Sequence, residues 1–159
     1  MVKKPVVPLV LLACSMMLAA CDASPPAIST LMQQVAQACQ ADDKNALRAC
    51  FAHEGVTSDQ IDQQVGGWDE YFDKGEHWNY SSITYVSLAD APNNKSILPE
   101  TIATAQGTTL NGKKFGPNIK VLGFILVGFK QPDGTQAGAT EAVGITSDGT
   151  AKIALYETH

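Results

Sequence analysis

Apolar positions recur along this chain with two periods, and the change between them falls near residue 78. Ile28, Leu31, Met32, Val35, Ala36 and Cys39 follow at i, i+3, i+4, i+7, i+8 and i+11, which lines one face of an amphipathic helix. Ser24 is placed to cap it, with Pro25 in the first turn, where a missing N–H is tolerated. Asp42-Asp43 interrupts the stripe, and Asp43 is set to cap a second, short helix with Ala46, Leu47, Cys50 and Phe51 on its apolar side. Gly55 closes that helix. Thr57 and Gln60 then spell a capping box for a third. Its Ile61, Val65, Trp68 and Phe72 fall within about 60° of one another at 100° per residue, a narrow core stripe. Gly66-Gly67 inside that stripe costs about 1–2 kcal/mol of helix propensity and marks a kink, a break or a close backbone approach.

From Trp78 the period becomes 2. Trp78, Tyr80, Ile83, Tyr85 and Val86 lie in a β-branched and aromatic run that reaches Leu88. Residues 90–112 carry the breakers Pro92, Asn93-Asn94 and Pro99. Thr101 to Leu110 reads as a threonine-rich strand, and Asn111-Gly112 as a hairpin turn. Asn118 to Lys130 is the strongest strand. Its odd positions Ile119, Val121, Ile125, Val127 and Phe129 are expected on one face and Leu122, Phe124 and Leu126 on the other. A one-sided antiparallel sheet alternates apolar with polar, and this strand does not. One face is for the helices. The other must meet the 90–110 segment, a second subunit in a homodimer, or a small apolar ligand, and it is the surface expected to carry function. Pro132-Asp133-Gly134 and Asp148-Gly149 turn the chain around strands at 139–146 and 151–157.

These elements make one α+β domain, N-terminal helices packed on a curved, cone-like antiparallel sheet of about four to five strands. The domain is expected over residues 28–159, behind a signal at 1–20 and a short tether at 21–27. Met1 to Lys4 is basic, and Pro5 to Ala20 is an uncharged, mostly apolar run of 16 residues, shorter than the roughly 20 a membrane span requires. It ends on Leu18-Ala19-Ala20-Cys21. That tetrapeptide resembles the lipobox of bacterial lipoproteins, and the resemblance implies cleavage before Cys21 and diacylation of its sulfur. Two acyl chains hold a protein stably on a bilayer. Leu11-Leu12-Ala13-Cys14 is a poorer match that would strand Met16-Met17-Leu18 in the product. Asp22 after the lipidated cysteine resembles the inner-membrane retention signal of enterobacterial lipoproteins, on the periplasmic side of the envelope.

Composition narrows the function. Hydrophobic residues make 45% of the chain and charged ones 17%, which suits a folded core. Without Lys3 and Lys4 the balance is 9 basic against 16 acidic residues, a net of −7, which makes the domain a poor candidate for binding nucleic acid or anionic lipid through its surface. Cys39 and Cys50 remain in an oxidising compartment once Cys14 is discarded and Cys21 acylated. Each sits on the apolar face of one of two adjacent helices, where a disulfide would staple the hairpin.

Candidate chemistry is sparse. His53-Glu54 is followed by Thr57, so the metalloprotease spacing fails; His53 reads instead as a helix end, where a histidine meets the C-terminal dipole. Glu76-His77 opens the first strand beside Trp78 and Tyr80, and His77, Asp69 and Tyr80 are the candidates for acid–base work in the mouth of a cone. Tyr71, Tyr80 and Tyr85 serve an aromatic pocket or plain core packing. His53, His77 and His159 lack any metal-ligand spacing, and no cofactor motif is present. The element order is similar to the nuclear-transport-factor-two-like and cystatin-like folds and to uncharacterised bacterial exported proteins. That likeness lies in Ala46-Leu47-Arg48 through Phe51-x-x-Glu54-Gly55-Val56 and in Asn118 to Phe129 with its glycine-rich hairpin. It implies the cone and carries over no catalytic residue. The leading expectation is a non-enzymatic, membrane-tethered binding domain; the alternatives are a small hydrolase or isomerase built in the cone, or an inhibitor or adaptor of envelope enzymes.

Overall fold

A computed structural model of the chain describes residues 24–73, 76–108, 114–116 and 118–157. The signal, Cys21, the Asn111-Gly112 turn and His159 lie outside the described residues. Helix α1 spans Pro26–Gln40 and begins one residue later than the pattern suggests. Pro25 precedes another proline, which pushes it to extended backbone (φ −51°, ψ 142°) and makes it the N-cap position, with Pro26 in the first turn. Ser24 therefore does not cap. Its Oγ lies 2.7 Å from Ser29 Oγ. Helix α2, Lys44–Ala49, starts on Asp43, whose Oδ1 accepts the Ala46 N–H at 2.9 Å. Helix α3, Ser58–Gly66, carries both bonds of its capping box: the Gln60 N–H donates to Thr57 Oγ1, and the Thr57 N–H to Gln60 Oε1. Gly66-Gly67 is a break. Beyond it a 3-10 turn over Asp69–Tyr71 continues the stripe, so Trp68 and Phe72 still reach the core with Ile61 and Val65.

The main sheet is antiparallel in the order β1-β3-β4-β5, with β1 at Asn79–Ser87, β3 at Ile119–Lys130, β4 at Gln136–Thr146 and β5 at Ala151–Ile153. Strands β2 (Lys114–Phe115) and β6 (Tyr156–Glu157) form a separate ribbon. The architecture is α+β.

Helix α2 stops at Ala49, short of the expected end at Gly55, and two further local expectations fail. Residues expected as a strand at 101–110 begin with helix α4, Pro99–Ala105. Pro99 and Glu100 suit a first helical turn, Thr104 Oγ1 donates back to the Glu100 carbonyl at 2.8 Å, and Ile102 and Thr104 are buried. Burial against the sheet outweighs the β-propensity of the threonines. The second correction is in β3. Pairing shifts between Val121 and Gly123, a bulge that puts one extra residue opposite β4. Ile119 and Val121 thereby join Phe124 and Leu126 on one face, while Leu122 joins Ile125, Val127 and Phe129 on the other. Strict odd–even alternation cannot see a bulge. Glycine makes it possible: a Cβ on Gly123 would sit 2.3 Å from the Val86 carbonyl, and one on Gly144 2.2 Å from that of Lys120.

The sheet thus has two covered faces. Helices α1 to α3 pack on the first, around Phe51, Ile125, Val127, Phe129, Val143 and Ile153. On the second, Phe124 and Ala142 are buried with Ala91, Ile97, Ile102 and Ala154. Of the three covers anticipated for that face, the 90–110 segment is the one in place. Phe124 is 0% exposed, so its burial requires neither a second subunit nor an apolar ligand.

Candidate functional site

The histidine, aspartate and tyrosine singled out in the sequence are held by different partners. His77 Nδ1 and the backbone N–H groups of His77 and Trp78 all lie on Asp73 Oδ2, at 3.0, 2.8 and 3.3 Å. These bonds, together with the His77 charge, hold the Asp73 carboxyl below its ordinary range against the opposing effect of burial. Asp73 is the cap of the turn into β1, and His77 stands exposed. Asp69 pairs with Lys44 at 2.7 Å across to α2, also in solvent. Tyr80 packs against the core, and burial followed by the nearby Cys39 thiol pushes its phenol up. His53 Nε2 meets the Arg48 carbonyl at 3.1 Å behind α2, the helix-end role expected of it. Arg48 itself bonds Ser58 and Asp62 and ties α2 to α3.

Cys39 and Cys50 are both buried, and the structure holds them as free thiols, without the bridge expected between them. Cys50 Sγ lies 3.4 Å from the Ala46 carbonyl. Burial, then proximity to Cys50 and to Asp42, pushes the Cys39 thiol up to about 12; burial also raises Cys50, against the opposing charge of Lys152. Neither is a thiolate near neutral pH, which removes both as nucleophiles while they remain reduced.

Among the described residues, the one strongly perturbed carboxyl on the helix face of the sheet is a residue the sequence reading passed over. Register places Glu141 opposite Ile125, between Ala139 and Val143 on the helix face of β4. Its Oε1 accepts the indole N–H of Trp68 at 3.0 Å. The residue is half-buried, and burial raises its carboxyl to about 7 against the opposing hydrogen bond from Trp68. The alternation of Ala137, Ala139, Glu141 and Val143 already assigned it to an inward face. A lone acid among small apolar positions of a strand was the legible sign.

Glu141 borders a cleft of about 380 Å³. One wall is α3 and its break, with Gln60, Gln63, Gln64 and Gly67 ahead of Trp68; the other is the edge of β4 at Ala139 and Glu141. Tyr156 and Glu157 close one end. Tyr156 stacks on Phe115 with ring centroids 4.5 Å apart, and burial raises its phenol against a hydrogen bond with Thr101, with Glu141 and Glu100 adding to the rise. Glu157 pairs with Lys114 at 2.8 Å. Trp68 is itself anchored edge-on to Phe129, and Tyr71 stacks flat on the same ring at 4.3 Å. The lining has no serine, cysteine or histidine; its reactive groups are the carboxyls of Glu141 and Glu157 and the phenol of Tyr156. Among the described residues no group of His, Cys, Asp and Glu is placed to hold a metal, and no helix is long and apolar enough to cross a membrane.

Comparison with protein-family models, with curated proteins and with solved structures found no match.

Proposed function

We propose that the mature chain is a lipid-anchored cell-envelope protein whose domain binds a ligand in the Glu141 cleft. The anchoring rests on Leu18-Ala19-Ala20-Cys21 behind its apolar run, with the inner membrane favoured by Asp22. The binding rests on a single observation: a carboxyl enclosed against Trp68 at the wall of an open cleft. A half-buried carboxyl with one protein donor leaves acceptor capacity facing the cleft, because an ionised carboxylate accepts several hydrogen bonds. A ligand presenting an ammonium, guanidinium or amide donor completes it, and the glutamine side chains of α3 supply further polar contacts. Such a ligand also draws the proton off Glu141, since an opposite charge favours the ionised form. Screening small amines and amides by thermal shift on the purified protein tests this. Binders should lose affinity in Glu141→Gln and release protons on binding near pH 7; binders indifferent to both would move the site elsewhere. Metabolic labelling with palmitate should tag the wild type and leave Cys21→Ser untagged, and equal labelling would remove the anchor.

A second reading has one observation behind it. A carboxyl titrating near 7 suits general acid–base catalysis at neutral pH, as a small isomerase or hydrolase in the cone would need. Turnover of a chromogenic substrate abolished by Glu141→Gln would favour it over simple binding.

A further inference from the structure

The edge of β4 that borders the cleft is open. Strand β5 pairs with β4 only at Val143, Gly144 and Ile145, after which the Ala154 N–H donates to the Ala142 carbonyl at 2.8 Å and the chain departs towards Tyr156. Backbone groups along a strand alternate in direction, and Ala142 points away from β3. Thr140 and Gly138 therefore point the same way, past the end of β5. Among the described residues the one partner on that outward side is the Tyr71 hydroxyl, which donates to the Gly138 carbonyl at 3.4 Å. Among the described residues no backbone group pairs with Thr140 on that side, and both residues are exposed.

An edge of this kind invites any extended chain unless something forbids it. Here Glu141 is the restriction. It sits on the inward face of the edge strand, beside the two outward-facing backbone positions, and a strand laid along the edge would seal its carboxyl further from water. A neutral or acidic strand would do so without compensation. A strand that brings a cation to Glu141 replaces lost water with a charge-assisted bond. Self-pairing of two copies fails the same condition, since each would bring Glu141 and Glu157 to the other's cleft, on a chain already acidic overall.

We propose that this edge and cleft together form a site for an extended polypeptide segment, which pairs with the backbone of Gly138 and Thr140 and places a lysine or arginine side chain in the cleft against Glu141. The inference rests on the cleft being the binding site and adds the class of its occupant. Recognition by strand addition takes affinity from main-chain bonds and specificity from the pocket beside the edge. The cleft lies between a helix and an edge strand and has no basic residue in its lining, which matches that division of labour.

The test uses the full chain in detergent micelles and a fluorescein-labelled peptide of alternating threonine and valine with one central lysine, followed by anisotropy. Saturable binding is expected, weakened about tenfold or more, near 1.4 kcal/mol, when the lysine is replaced by glutamate. Methylating the backbone nitrogens of alternate peptide residues, which leaves every side chain in place, should abolish it. Glu141→Gln should bind both peptides and discriminate between them less. Equal binding of the lysine and glutamate peptides, or binding indifferent to backbone methylation, would overturn the proposal. So would no peptide binding by a protein that still takes up a small amine in an Glu141-dependent way, a result that leaves the cleft reading standing. Failure of the amine as well would remove both. Self-association by light scattering, reversed by the methylated peptide's parent, would show a second copy on the edge and likewise overturn the choice of occupant.

Discussion

The two faces of the sheet are covered in different ways. The first lies under α1, α2 and α3, which come from a separate stretch of sequence, and it contains nearly all the polar chemistry of the interior: Glu141 on Trp68, the two thiols, and the Tyr71 hydroxyl on Gly138. The second lies under the chain that links β1 to β2. Its buried residues are apolar except for Thr104, whose hydroxyl is satisfied within its own helix, while Thr84 and Thr140 flank Leu126 at its more exposed end. A face closed locally by an apolar strap has reason only to be stable. A face that keeps a carboxyl enclosed against one donor carries a cost that binding can offset. The contrast is the reason we propose the first face, rather than the second that the strand pattern suggests, as the functional surface.

The largest expected effect breaks the second face. Phe124→Ala removes a fully buried ring and should cost about 3–5 kcal/mol in urea unfolding. Leu98→Ala, on the same strap but 58% exposed, should stay within about 0.5 kcal/mol. A folded Phe124→Ala that instead acquires self-association would return function to this face.

The next effect belongs to the first face and to pH. Glu141 titrates near 4.5 in an unfolded chain and is raised to about 7 in the fold. At pH values below 4.5 both states hold the proton and there is no penalty. Between 4.5 and 7 the folded chain binds more protons than the unfolded one, so stability falls as pH rises and levels off above 7. The loss is on the order of 3 kcal/mol. Glu141→Gln should be free of this contribution to the slope, and identical pH profiles for the two proteins would mean the carboxyl is hydrated. The Trp68 indole N–H resonance should move with the same midpoint.

The third effect concerns the thiols. Oxidation of Cys39 with Cys50 would close a loop of about a dozen residues and add roughly 2–3 kcal/mol on the chain-entropy argument. Protein purified without reductant should gain two hydrogens on reduction and unfold at lower denaturant afterwards. Thiols that alkylate freely in unfolded, unreduced protein would show that the helical hairpin is held by packing alone.

How much of this was legible follows the same division. The caps of α2 and α3, the buried faces of α1 and α3 and the extent of β1 and β3 were readable because each depends on residues within one or two turns: Asp43 on Ala46, Thr57 on Gln60, Ile61 on Val65. What failed depends on distant partners. Helix α4 is set by burial of Ile102 on a sheet whose strands lie on both sides of it in sequence. The bulge at Leu122 is fixed by Gly123 and Gly144, which are glycine because Val86 and Lys120 come close. The cleft was not readable because it joins α3, β4 and the chain after β5, which are distant in sequence. Trp68 was read as part of the core stripe, and Glu141, an acid at an inward position, was the legible sign that was missed.

The smallest effect separates the two walls of the cleft. Thr57→Ala deletes the side-chain acceptor for the Gln60 N–H and should cost about 1 kcal/mol. Helix α3 ends at Gly66, however, and Trp68 lies beyond that break, anchored edge-on to Phe129 with ring centroids 6.2 Å apart. Loosening the first turn of α3 should therefore hasten amide exchange at Gln60 and Ile61 and leave the titration of Glu141 where it was. In combination with Glu141→Gln the two effects should add within about 0.5 kcal/mol, as they do for sites without a shared partner. A shift in the Glu141 midpoint, or strong non-additivity, would show that the glutamine wall and the carboxyl move as one unit. Ligand entry would then have to be described as an opening of α3 rather than as filling of a fixed cleft.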